Sequence, residues 1–370
     1  MPNNELLVHA IGAAKTEGIL NGCISNTIAL QHCIQSALNQ AQSKTPIIAK
    51  STICNIPLYN SSFIKNKAKV PILNPHKIVT ASELSLLEES FKKPTKNTKQ
   101  KIIHSHIHHY SIDYKLTQSP LGKHGSYIEA HHINIAMDIR NIRALKQVLI
   151  RSGLHPKAIV HDSYCLTHAL LSETERHEGG IVIDIGTHFS KAHVMVNSKV
   201  INTQFIPIGY NHVVKDIATC LHTTINEAHR LLKKYGTAFL HDTDPQSSIT
   251  IYGLKKQHTI KRRLLCQIIE SRVNEILKIL FKKCGDSIYS CPKIVLTGSG
   301  DSITGIQSLI DQRWSKYCEK DPHTSPHKNG TIQYSTALGG VLASLHHKRI
   351  QYTKQTQKRS ITKPFLNFLK

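Results

Sequence analysis

The stretch GIVIDIGTHFSKAHVMVNSKVINTQFIPIG, residues 180–209, decides the fold. Its opening is apolar except at Asp184, as in a strand buried on both faces, and a short turn follows at Gly186. Two more apolar runs, 192–196 and 200–206, are separated by a polar turn, so the spacing predicts consecutive hairpins. Beyond them the pattern predicts helices over 213–221 and 225–234, with Gly236 suited to a left-handed residue after a helix. Leu265, Ile268, Ile269, Val273, Ile276, Leu277 and Leu280 form the stripe of a longer amphipathic helix. Residues 292–297 read as a buried strand running into Gly298-Ser299-Gly300 with a helix behind. Strand, glycine turn and helix together suit an anion or nucleotide.

Working outward, residues 6–11 read as a short strand, and Leu30, Cys33, Ile34, Ala37, Leu38 and Ala41 as a helical stripe. Thr80-Ala81-Ser82-Glu83 has the capping-box pattern, in which Thr80 accepts the Glu83 amide and the Glu83 side chain reaches back. Residues 92–101 are polar and Lys-rich and read as an exposed loop. Strand-like runs at 107–114 and 127–137, then a helix with Ile142, Leu145, Val148 and Leu149 on one face, make 79–152 a small α+β unit. A polar linker over 346–357 and a short basic tail close the chain.

The composition is that of a globular protein, with 40% hydrophobic and 19% charged residues. Its 370 residues exceed one ordinary domain. A net charge of +23 attracts nucleic acid, anionic lipid or acidic protein tails. Against nucleic acid, the basic residues are dispersed, aromatics are 6%, and no binding signature is present. Nine cysteines form no C-x-x-C pair, and with no secretory signal they fit a reducing cytoplasm. No apolar run reaches membrane-spanning length.

Four ordered blocks resemble the bacterial cell division protein family FtsA. They are residues 6–42 with Ile11-Gly12 and Gly22; Tyr110-Ser111-Ile112-Asp113-Tyr114 with Pro120-Leu121-Gly122; the opening stretch extended through Asp216-Ile217-Ala218 to Gly236; and Ile294-Val295-Leu296-Thr297-Gly298 with Tyr334-Ser335-Thr336-Ala337-Leu338-Gly339. The resemblance implies an α/β, actin-like (ribonuclease H-like) two-lobed fold with a small inserted α+β domain. Residues 1–78, 153–179 and 334–350 would form the first lobe, and 79–152 the insert. Residues 180–227 with 292–333 would form the second lobe, 228–291 a helical subdomain, and 351–370 a linker and tail. The implied function is to bind the C-terminal tail of the tubulin-like protein FtsZ at the cytoplasmic face of the inner membrane and to help assemble the septum with other division proteins. Self-association stays open.

The resemblance also implies ATP and magnesium, and here the sequence departs from the family. The first phosphate hairpin would precede Leu6, where only five residues stand. The second reads Asp184-Ile185-Gly186-Thr187-His188-Phe189-Ser190-Lys191, with one glycine where the family has three and a lysine where it has an acid. Thr187 and His188 restrict the backbone angles that let amides converge on phosphate. The phosphate-side candidates are therefore Asp184, Gly186, Thr187, Ser190 and Lys191, and the adenosine-side candidates Gly298, Ser299, Gly300 and Arg230. Nucleoside-framing Glu and Lys positions hold His229 and Leu232. No catalytic base can be named, so the expectation is weak ATP binding or hydrolysis at most. An active ATPase of the wider actin superfamily is the competing function.

In the tail, Ile361, Phe365, Leu366, Phe368 and Leu369 would share a helical face with Lys363 at anionic lipid head groups, although Pro364 shortens the helix. The family ends similarly. Arg262, Arg263 and Arg272 are the candidates to meet the acidic FtsZ tail. His104, His106, His108 and His109 cluster without an accompanying Cys or acid, so they read as solvated strand residues and no metal site is expected.

Overall fold

A computed structural model of the chain describes residues 7–20, 23–56, 61–92, 99–254, 256–314 and 334–346. It divides into two compact units, residues 1–162 with 340–370 and residues 163–339. Residues 163–179 and 334–339, expected with the first lobe, thus fall in the second unit.

In the first unit a small hairpin, β1 (Ile19–Leu20) and β2 (Cys23–Ile24), leads into α1 (Thr27–Gln42). Asn26 starts this helix by accepting from the amides of Ile28 and Ala29. The strand expected over 6–11 is not formed at residues 7–11. This segment instead runs as coil beside α1, with the Ile11 carbonyl accepting from Lys44 Nζ at 3.0 Å and the Ala13 amide donating to Gln40 at 2.6 Å. Gly12 permits the approach, since a Cβ there would lie 1.8 Å from the Ala37 carbonyl oxygen.

Next come β3 (Ser51–Ile56), β4 (Ser61–Pro71), α2 (Ala81–Lys92), β5 (Gln100–Ile112), β6 (Lys115–Thr117), β7 (Tyr127–Asp138), α3 (Ile139–Arg151) and β8 (His155–His161). Strands β4, β7, β5 and β6 form one antiparallel sheet in that order, while β3 and β8 pair in parallel. The sheet of the small α+β unit therefore takes in β4, upstream of the boundary expected at residue 79. Ile72, Val79, Leu87, Ile112 and Ile128 are its core, under α2. Glu83 reaches back to the Thr80 amide at 2.8 Å as expected, whereas Thr80 Oγ1 accepts from Ser82 rather than from the Glu83 amide.

The histidines of β5 are packed rather than solvated. His104 Nε2 accepts from the His161 amide at 2.9 Å, and His109 stacks on His131 with ring centroids 4.0 Å apart. Burial, then the neighbouring His131 and His108, push the His109 imidazole down to about 4. An NMR titration is expected to show His109 still neutral at a pH of about 5.5. The unfolded chain takes up this proton near 6.5, so stability falls as pH drops from 6.5 towards 4. A midpoint at the ordinary histidine value would overturn this. Among the described residues no group of three or more His, Cys, Asp or Glu is arranged to hold a metal.

In the second unit α4 (Asp162–Leu170) enters from β8, and α5 (Glu173–Glu178) carries a capping box between Ser172 and Glu175. Strands β9 (Gly180–Ile185), β10 (Ser190–Val196) and β11 (Lys199–Ile206) are the expected hairpins. Asn197 and Ser198, at φ of 50° and 57°, supply the two-residue turn between β10 and β11. Helices α6 (Tyr210–Cys220) and α7 (Ile225–Tyr235), the hairpin β12 (Ser248–Tyr252) and β13 (Gln257–Lys261), and α8 (Arg262–Cys284) follow, then β14 (Lys293–Thr297) and α9 (Ile306–Trp314). The sheet order is β11-β10-β9-β14, with β14 parallel to β9. Its core draws on Ile181, Ile183 and Ile185 of β9, and on the stripe of α8 from Leu265 to Leu280.

Gly236 is not left-handed, since its φ is −75°. It is small for a packing reason: a Cβ would lie 2.6 Å from the Leu232 carbonyl oxygen and 2.7 Å from Ile269 Cδ1. No helix among the described residues is long and apolar enough to cross a membrane.

Candidate functional site

Parallel pairing of β9 and β14 sets Thr297 opposite Asp184, so the turns leaving the two strands lie side by side at their carboxyl ends. In open α/β sheets that edge is where ligands bind. Gly298 has φ +86°, and a Cβ there would sit 2.3 Å from Asp184 Oδ1 and 2.7 Å from the Ile185 carbonyl oxygen. Gly300 is held as closely, since its Cβ would meet Ile185 Cβ at 2.5 Å. The hydroxyls of Thr187 and Ser299 bridge the two turns at 3.1 Å. Burial raises the carboxyl of Asp301, in the 3-10 turn Ser299–Ser302, above its ordinary value.

The β9–β10 turn is locked by backbone bonds. The Gly186 amide donates to the Phe189 carbonyl, while the Gly186 and Thr187 carbonyls accept from the Tyr210 and Asn211 amides, each at 2.9 Å. Gly209 permits this, because a Cβ there would lie 2.4 Å from the Gly186 carbonyl oxygen. Lys191 Nζ stands 3.4 Å from Asp184 Oδ2, and both side chains are mostly buried.

Of the phosphate-side candidates, Asp184, Gly186, Thr187 and Lys191 share this edge with Gly298, Ser299 and Gly300. Ser190 does not face it: fully buried, it donates to the Ile208 carbonyl at 2.6 Å. Arg230 is held by Glu227, which accepts from its Nε and Nη2 at 2.6 Å each, while the Tyr235 and Tyr252 rings lie 5.9 and 5.5 Å from the guanidinium. Two of the three arginines expected to face a partner are likewise engaged. Arg262 Nε donates to the Tyr235 carbonyl at 2.9 Å, and Arg272 pairs with Asp216 and Glu275. Asp216, 56 residues from Arg272, was legible only as an isolated charge, whereas Glu275 lies one helical turn further along α8. The tail residues Ile361, Lys363, Phe365, Leu366, Phe368 and Leu369 lie outside the described residues.

A magnesium ion held by one carboxylate, waters and phosphate oxygens would have to draw Asp184 away from the ammonium group it already faces. Lys191 with the Thr187 and Ser299 hydroxyls suits an anionic oxygen better.

Hairpins feeding a parallel strand pair, with glycine turns meeting at its carboxyl end, are the arrangement of an actin-like protein. Solved structures agree. The chain superposes on one titled "PilM-PilN type IV pilus biogenesis complex" with a TM-score of 0.54 at 14% identity, covering 91% of this chain and 98% of that one. For MreB5 of Spiroplasma citri bound to AMPPNP the TM-score is 0.52 at 13% identity, over 93% and 81%. The family model of cell division protein FtsA matches residues 181–339. FtsA of Buchnera aphidicola subsp. Schizaphis graminum is 26% identical over 98% of this chain and 90% of the relative, and FtsA of Bacillus subtilis 24% identical over 96% and 81%. The chain is an FtsA-like protein.

Proposed function

We propose that the protein tethers FtsZ filaments to the cytoplasmic face of the inner membrane and helps other division proteins build the septum. The observation that carries this reading is the FtsA match over 181–339, which spans the edge where the two glycine turns meet and the whole subdomain of α7, β12, β13 and α8. The FtsZ tail would dock on that subdomain. Since Arg262 and Arg272 hold the fold together, Arg263 and the exposed Tyr252, Leu254 and Leu264 are the better candidates for its surface. Lipid binding would come from residues 358–370.

Two measurements test this together. A peptide of the FtsZ C-terminal tail is expected to bind the full chain and to release with rising salt. Deleting residues 358–370 is expected to abolish flotation with anionic vesicles while leaving peptide binding unchanged. No peptide binding would remove the FtsZ reading, and unchanged flotation the tail reading.

A second reading, an ATP-binding superfamily member, rests on Lys191 and the Thr187–Ser299 hydroxyl pair. Because Asp184 is already paired, ATP is expected to raise the melting temperature as much without magnesium as with it. Restoring glycine by Thr187→Gly with His188→Gly is expected to enlarge that shift. No shift in either protein would retire ATP binding.

A further inference from the structure

The geometry points to a second lipid contact besides the tail: one end of the small α+β unit dips into an anionic bilayer surface. It rests on the reading of the protein as a membrane tether. Strand β4 ends at Pro71 opposite Tyr127, and β5 ends at Ile112 opposite Ile128, so the segments leaving them meet at one end of the sheet. Backbone bonds tie these segments together. The Ile72 amide donates to the Ser126 carbonyl, the Val79 amide to the Lys123 carbonyl and the Gly125 amide to the Lys77 carbonyl, each at 2.9 Å. This tip carries Leu73, Tyr114, Leu116 and Leu121, which are 78, 84, 71 and 63% exposed. The core behind them, with Ile72, Val79, Ile112 and Ile128, closes without them.

Tyr114 is the least expected of the four. Asp113 and Tyr114 form the two-residue turn between β5 and β6 at φ of 45° and 68°, where asparagine and glycine fit at least cost. Asp113 compensates by accepting from the Ser126 and Tyr127 amides at 2.9 and 3.2 Å. A bulky ring at positive φ is strained, and an edge-on contact with Tyr127 at 5.5 Å leaves that of Tyr114 almost wholly in water.

Charge and shape select the occupant. Lys69, Lys77, Lys115 and Lys123 are exposed among these apolar side chains, with Lys69 Nζ 5.8 Å from the Tyr114 ring centroid. The carboxylates of Asp113 and Glu83 are turned inward, onto backbone amides. Projecting leucines and a tyrosine interleaved with lysines suit insertion at the head-group boundary, with the ammonium groups at lipid phosphates. A second copy of the chain fits less well, because the four lysines would face their own counterparts. A single short anchor binds a bilayer only marginally, and stable attachment takes two signals, here the tail and the tip. Loss of either then releases the chain.

The test uses the full chain and vesicles of phosphatidylglycerol and phosphatidylcholine. Leu73→Ser, Leu116→Ser and Leu121→Ser combined should weaken partitioning at least tenfold with the tail intact. Tyr114→Trp should add an emission that bromine-labelled acyl chains quench. Circular dichroism melting checks that each variant is folded, and if the triple variant is not, the quenching decides. The proposal is overturned if the triple variant partitions as the parent does, or if bromolipid leaves the added emission unchanged. Self-association lost in the triple variant, with partitioning unchanged, would assign the tip to a contact between copies and overturn it too. The tail reading fails separately: if the chain without residues 358–370 still partitions, quenching of Tyr114→Trp in that chain upholds the tip and its absence removes it.

Discussion

Gly298→Ala is expected to lower the stability of the second unit by roughly 2–5 kcal/mol, combining the left-handed backbone cost of an L-residue with the cost of overpacking. At φ +86° the new Cβ would press on Asp184 Oδ1 and on the Ile185 carbonyl, and the latter is backbone that no rotamer change can clear. Relief requires the β14 turn to move away from β9, which breaks the Thr187–Ser299 bridge and disturbs the Asp184–Lys191 pair. Gly153 is the control. Its φ is +78°, but nothing lies within 4 Å of its Cβ position, so Gly153→Ala should cost only the conformational part, about 1–2 kcal/mol. Urea unfolding of both variants, followed in the transition of the affected unit, reads the difference. Equal losses would mean that the close approach of the two turns is not what makes Gly298 necessary.

The same edge shows what could be read from the sequence. The hairpins β9 to β11 and the helix α8 were legible because each has one strong period and a continuous apolar face. Their glycine turns were legible as the breaks that end apolar runs, at Gly186 and at Gly298-Ser299-Gly300. The role of Ser190 was not, because burial of a hydroxyl against the Ile208 carbonyl is a tertiary event, whereas the Glu227–Arg230 pair is a local i,i+3 spacing on α7 that was overlooked. Strand β4 was missed for a different reason. Lys65, Lys67 and Lys69 alternate with Asn66, Ala68 and Val70, so the inward face begins with a polar and a small residue and its half-buried strand period was overlooked. Hairpin β12–β13 is short and buries only Ile249 and Ile251, too few positions to establish a period. Residues 7–11 err the other way: their apolar run suggested a strand, but pairing needs a neighbour, and the segment lies on α1 instead.

Glu227→Ala is the second large effect, expected to cost about 1–3 kcal/mol, chiefly because it leaves the Tyr252 amide without its acceptor, while water reaches the 36%-exposed Arg230 and replaces part of the lost pairing. The Glu227 carboxylate accepts two bonds from Arg230 and one from the Tyr252 amide at 3.1 Å, so it ties α7 to β12. Its side chain is 8% exposed, which keeps solvent from competing for those bonds at the carboxylate. Glu227→Gln retains one acceptor oxygen and should lose less. The acid dependence separates charge from packing. Hydrogen bonds from Arg230, then from Tyr252, hold the Glu227 carboxyl below its ordinary value. Its contribution is therefore present above the unfolded value and lost as pH falls through the folded one. The gap between parent and Glu227→Gln should accordingly narrow in acid, whereas the gap caused by a purely steric defect would not. Because this clasp positions the exposed Tyr252 and Leu254, Glu227→Ala should also weaken FtsZ-peptide binding at temperatures where the chain remains folded. Unweakened binding would place the FtsZ surface elsewhere, on a part of the subdomain that does not depend on β12.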